Sequence, residues 1–260
     1  MDSIRHMEMW TVRAVRTAVL LTVLLMMPEG IMAQRSDFGV WTTMGAEKSL
    51  GEKWSVGAEG EFRTRDNSGT ADRWSFGLEG SYKIVTGLKL SAGYTLLYDN
   101  NDEEITVHED GSYNSRRPSY WGLRHRFNVS LTGSVKAGRF GISLRERWQY
   151  TYRPRKTTER YGYDNGLWEN YNVRGKGHNV LRSRLKVEYD IPGCRIDPYA
   201  SAEMYNSFSL EKSRYIVGAE WKITRTHSVG LYYLYQNVNN DKDDDDTDEH
   251  VLGLSYRIKL

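Results

Sequence analysis

The residues with the most capacity for chemistry in this 260-residue chain are charged, and they recur at every second position. Arg124 and Arg126, Arg145 and Arg147, and Arg182, Arg184 and Lys186 form a basic set. Glu59 and Glu61, Glu79, Glu203 and Glu220 form an acidic set. A spacing of two places side chains on one face of an extended strand. If these strands close on themselves, a basic wall faces an acidic wall across a lumen. The charges can pair into a network that fills and stiffens the interior, because a lone charge in a confined space is costly. That predicts a structural or accessory barrel with a largely filled lumen. The alternative is a narrow channel whose crossfield selects small zwitterionic or anionic solutes.

Other reactive groups give weaker signals. His108, His125, His178, His227 and His250 follow the N-terminal segment, and none sits in a Ser-centred motif. A nucleophilic serine needs a base within hydrogen-bond reach. A Ser–His pair on the rim would make a lipid hydrolase. His125, which interrupts an apolar strand face, is the one residue that raises this third reading, and an enzyme is not expected. Asp241, Asp243, Asp244, Asp245, Asp246, Asp248 and Glu249 form a dense acidic run. It lacks the glycine and spacing of a calcium-binding hand, so it reads as a solvated loop, with loose Ca²⁺ or Mg²⁺ binding as the alternative. The basic stretch 153–160 could touch anionic lipid headgroups. Cys194 is the only cysteine, so no internal disulfide is possible. Phosphate loops, cysteine clusters and nucleotide motifs are absent, and neither a cofactor nor a metal is expected. The net charge of +2 gives no bulk electrostatic argument for nucleic acid.

The elements that must position these charges are strands. After residue 33 there is no convincing helical period, but there are about eleven alternating runs near the length of a tilted membrane strand. In the third, Trp74, Phe76, Leu78, Tyr82 and Ile84 alternate with Arg73, Ser75, Glu79, Ser81 and Lys83. In the last, Leu252, Leu254, Tyr256, Ile258 and Leu260 alternate with Val251, Gly253, Ser255, Arg257 and Lys259. Mean hydropathy is distinctly negative, which excludes a helical membrane protein. It leaves a barrel open, since only every second strand residue must face lipid.

Two patterns favour the membrane barrel. Connections near residues 86, 136, 192 and 225 are short. Those near 67, 100–119, 154–176, 207–212 and 240–249 are longer or more polar. Barrels of the outer membrane show this alternation of periplasmic turns and outer loops. Trp54, Trp74, Tyr98, Trp121, Tyr150, Tyr152, Tyr189, Trp221 and Tyr235 gather near strand ends, as interfacial girdles do. The expected fold is an all-β transmembrane antiparallel up-and-down barrel of about 10–12 strands. Bacterial barrels usually have even counts, so eleven runs imply either a missed strand or an unusual pairing of the first run, 38–47.

Residues 1–33 read as a signal peptide: Arg5, Arg13 and Arg16, an apolar run over 18–27, then Pro28, Gly30 and a small residue at Ala33. Residues 34–260 are the barrel. The final strand is similar to the signal read by the barrel-assembly machinery, with Leu260 where an aromatic is usual. The expected setting is the outer membrane of a Gram-negative bacterium, with its lipid, its lipopolysaccharide and that machinery as partners.

Several strand motifs carry a family resemblance. They are 37–41 (DFGVW), 59–66 (EGEFRTRD), 181–192 (LRSRLKVEYDIP), 198–203 (PYASAE) and 230–236 (GLYYLYQ). With these the chain resembles a family of Bacteroidota outer-membrane proteins described as domain of unknown function 2490. The resemblance implies a barrel and an outer-membrane location. It implies no substrate, reaction or ligand.

Overall fold

A computed structural model describes residues 36–239 and 248–260. Residues 1–33, read above as a signal peptide, and most of the acidic run lie outside the described residues. Fifteen strands form among the described residues. They are β1 (Ser36–Leu50), β2 (Trp54–Arg65), β3 (Thr70–Val85), β4 (Leu88–Asn101), β5 (Glu104–Val107), β6 (Tyr113–Arg117), β7 (Tyr120–Ala137) and β8 (Phe140–Arg153). After them come β9 (Lys156–Gly162), β10 (Leu167–Val173), β11 (Lys176–Tyr189), β12 (Ile196–Ser207), β13 (Ser209–Lys222), β14 (His227–Val238) and β15 (Asp248–Lys259). Eleven of them close a transmembrane barrel in the order β1-β15-β14-β13-β12-β11-β8-β7-β4-β3-β2.

The odd count has a definite consequence. Each barrel strand pairs antiparallel with the next along the chain, so β1 and β15 run the same way. Their junction shows a parallel pattern: Leu260 N donates to Glu47 O at 2.7 Å, and Leu260 O accepts from Ser49 N at 3.3 Å. The first run therefore closes the barrel in parallel with the last, and no missing strand is needed.

The alternation read from sequence is the wall of the barrel. Trp74, Phe76, Leu78, Leu123, Phe127, Val129, Leu131, Leu144, Trp148, Leu181, Leu185, Leu252 and Leu254 are all exposed on the outside. Such a continuous apolar band has its place in hydrocarbon and not in water. Aromatic pairs edge it at both ends. Phe62–Trp74 (4.3 Å between centroids) and Tyr98–Trp121 (4.9 Å) stand toward the long-loop end. Trp54–Tyr82 (4.7 Å) and Phe140–Tyr189 (5.0 Å) stand toward the short-turn end.

Three connections differ from the sequence reading. The two long polar loops are not structureless. Their strands β5, β6, β9 and β10 form a separate four-stranded sheet, in which β6 of one loop pairs with β9 of the other. Backbone pairing satisfies donors and acceptors that a bare loop would leave to water. In the β5–β6 connection, Asp110 accepts from the Ser112 hydroxyl at 2.6 Å and from its backbone N at 2.9 Å. These bonds, the hydroxyl's first, hold its pKa below the usual carboxylate value. The connection at 207–212 is a tight reversal at Phe208, whose φ is 65°, and β13 begins at Ser209. Arg214 is thereby a strand residue.

An outward carboxylate breaks the apolar band. Glu146 lies between Leu144 and Trp148 on β8 and accepts from the Ser183 hydroxyl of β11 at 2.7 Å. Ionisable groups facing lipid are costly in a depth-dependent way. Replacing both partners, Glu146→Leu with Ser183→Ala, is predicted to stabilise the barrel by about 1–2 kcal/mol. Urea unfolding in lipid vesicles measures this, and a lower midpoint would contradict it.

Candidate functional site

The interior is divided into unlike halves. On one side, Trp41, Leu234 and Val251 form a buried apolar cluster with Ile216 and Tyr232 packed against it. These come from β1, β13, β14 and β15, so the parallel seam is lined by apolar packing. Arg63 approaches the Trp41 ring with its guanidinium carbon 3.7 Å from the centroid, and Arg214 does so at 4.9 Å. Both are cation–π contacts in a desolvated setting, where that attraction is strongest.

On the other side stands the basic set. Antiparallel register places Arg147 opposite Arg182 and Arg145 opposite Arg184, with Lys186 opposite Ser143. Arg126 stands nearer the long-loop end, opposite Thr151, and donates to that hydroxyl at 3.2 Å. The result is a ladder of cations down one wall, on β7, β8 and β11. Between the two halves lies a cavity of about 530 Å³.

Eleven of the twelve charged residues singled out from the sequence line this cavity: Glu59, Glu61, Glu79, Arg126, Arg145, Arg147, Arg182, Arg184, Lys186, Glu203 and Glu220. Arg124 does not. It belongs to a charge knot at the long-loop end, where its Nε lies 3.0 Å from Asp99 and its Nη2 donates to Asn101 at 2.9 Å. Asp99 is 3 % exposed and also receives Arg73. Arg65 adds Asp72 at 3.2 Å.

The acidic residues do not form one opposing wall. Glu203, on β12 beside β11, takes Arg182 at 2.5 Å and the Tyr205 hydroxyl at 3.3 Å. Glu79 on β3 receives Arg147 across the lumen at 3.1 Å. Glu61 is engaged by Arg63 of its own strand at 2.6 Å. Toward the short turns, Lys186 pairs with Glu188. The expectation of a largely filled interior fits the apolar side, whereas the basic side borders open space. Arg214, Trp41, Tyr205 and Asp99 were not singled out from the sequence. For Arg214 the signal was its place immediately before Tyr215, on the opposite parity, hidden by the assumed loop at 207–212. His125 faces outward, and its Nδ1 lies 2.8 Å from the Tyr94 hydroxyl and not from a serine.

The fold is similar to solved barrels at low identity. The beta domain of the Bordetella autotransporter Brka aligns with a TM-score of 0.49 and 16 % identity, covering 74 % of this chain and 79 % of that one. The CymD monoaromatic hydrocarbon channel aligns with a TM-score of 0.41 and 10 % identity, covering 74 % and 66 %. No curated protein matches the chain. The model of a protein family of unknown function matches residues 38–247, strands and outer loops alike, and this chain therefore belongs to that family, DUF2490.

Proposed function

We propose that this protein is an outer-membrane barrel that admits small polar solutes to its lumen, with a preference for anions. One observation carries the reading. The cavity is lined, among the described residues, by ten Lys and Arg and six Glu side chains. A confined space with that excess lowers the cost of a negative solute and raises that of a positive one. Its volume is in the range of small-molecule sites. The apolar seam narrows the lumen and directs what enters toward the Arg ladder.

The Arg73–Asp99–Arg124 knot favours a second reading, a structural barrel closed by paired charge. The two readings separate in a planar bilayer. Refolded protein under a KCl gradient is expected to conduct, with a reversal potential favouring chloride. Arg145→Gln, Arg147→Gln and Arg184→Gln together are expected to shift that potential toward potassium. A silent bilayer would overturn the passage and leave the structural reading. A cation-selective current would overturn the anion preference.

A further inference from the structure

We propose that Arg145 and Arg184 form a binding site for a small, doubly charged oxyanion of the phosphate or sulfate class. The proposal rests on the polar lumen described above and names the ligand that it would hold.

The argument begins with a conflict in the sheet. Arg145 faces Arg184 and Arg147 faces Arg182 in direct cross-strand pairs, two rungs apart on one inward surface. Like charges directly opposite on a sheet destabilise it, and stacking two such pairs compounds the cost. Among the described residues, only Glu203 and Glu79 reach the quartet within 4 Å. Four guanidiniums thus share two carboxylates, which leaves an excess of two positive charges.

The bonds are unevenly distributed. Arg182 is hydrogen-bonded to Glu203, and Arg147 to Glu79 and to the Ser130 hydroxyl at 2.7 Å. Arg145 and Arg184 come no nearer to Glu203 than 3.8 and 3.9 Å, beyond a hydrogen bond. The Nε atoms of Arg145, Arg182 and Arg184 are buried and have no acceptor. Buried donors without acceptors cost about 1–3 kcal/mol each, more when charged. The Nε atoms are covered, but the side chains of Arg145 and Arg184 keep some exposure, 14 % and 29 %, and border the cavity, so an acceptor can reach the guanidinium groups from the lumen.

A tetrahedral dianion meets these demands together. Its charge matches the excess of two. Its several oxygens suit the planar fork of a guanidinium, which binds phosphate in a bidentate way. Chloride offers a single charge and no such geometry. The site lies inside the lumen near mid-strand, out of reach of lipid headgroups, so the ligand is a soluble ion.

The test uses the intact mature barrel refolded in detergent, with inorganic phosphate as the probe and NaCl at matched ionic strength as the control. Phosphate is expected to raise the unfolding temperature saturably, as a ligand of the native state does. Arg184→Lys keeps the charge and loses the fork, and is expected to weaken the apparent affinity at least tenfold. The double change Arg145→Gln with Arg184→Gln is expected to abolish the phosphate effect and to leave the unfolding temperature without phosphate equal or higher, since a like-charge pair is gone. A response to phosphate no larger than to NaCl, or an undiminished response in the double variant, would overturn the site. Binding without conductance would refute the passage and keep the site. Chloride conductance without saturable phosphate binding would do the reverse.

Discussion

Glu203→Gln is expected to be among the most damaging single substitutions in this barrel. Glu203 is 1 % exposed. It holds Arg182 and Tyr205 by hydrogen bonds and lies within 4 Å of Arg145 and Arg184. The amide keeps the shape and removes the charge. Among the described residues, Glu79, engaged with Arg147, would then be the one carboxylate within 4 Å of the four guanidiniums. Breaking a buried charge pair by deleting one partner costs on the order of 3–5 kcal/mol. The expected readout is a lower midpoint in urea and a lower yield of refolded, heat-shiftable barrel. Added phosphate should recover part of the loss, because it supplies the missing negative charge. An unchanged midpoint would mean that the Arg quartet tolerates its own repulsion, and the electrostatic account of the lumen would fail with it.

Gly253→Val is the second large effect. A Cβ at Gly253 would stand 1.9 Å from Cζ of Tyr232 and 2.2–2.3 Å from its Cε atoms. The ring therefore lies against bare backbone of β15. Its base has little room to withdraw, since it lies close against the bare backbone of Gly218 on β13, where an added Cβ would stand 2.6 Å from the Tyr232 Cβ. The free direction is the cavity, which Tyr232 borders. The variant should lose about 1–3 kcal/mol to overpacking and move the ring into the lumen. Single-channel conductance should fall along with stability. Gly133→Ala, where a Cβ meets nothing within 4 Å, is the control and should leave both unchanged. A Gly253→Val barrel of full conductance would show that Tyr232 does not bound the open space.

The strand positions of most lumen charges were legible because lipid imposes a strict rule on every second residue. Arg145 and Arg147 alternate with Leu144 and Trp148, and only one face of a barrel strand can carry each set. What the alternation does not encode is which strand stands beside which charge, or at what height. Arg147 meets Glu79, 68 positions away, because β3, β4, β7 and β8, with the outer hairpin β5–β6 between them, bring the two to one level. Arg124 has the same parity as Arg126, yet sits two residues closer to the long-loop end, where Asp99 captures it. The parallel seam was visible only as an odd count. Its apolar lining was hidden because Leu234 and Val251 are inward residues on strands whose polar face they share with Gln236 and Glu249. The outer sheet was hidden because Tyr-, Arg- and Glu-rich stretches resemble solvated loops until two of them pair.

The central claim is that water and anions reach a cationic lumen, and site-directed labelling tests it most directly. In a Cys194→Ser background, a cysteine replaces Ser201, which borders the cavity, or Met204, which is exposed on the apolar outer face. Labelling rates are then measured with an anionic and a cationic thiol reagent of equal size on the barrel in liposomes. The account predicts that Ser201→Cys reacts, and reacts several-fold faster with the anionic reagent, while Met204→Cys stays unreactive to both. An inert Ser201→Cys, or one labelled faster by the cationic reagent, would contradict it.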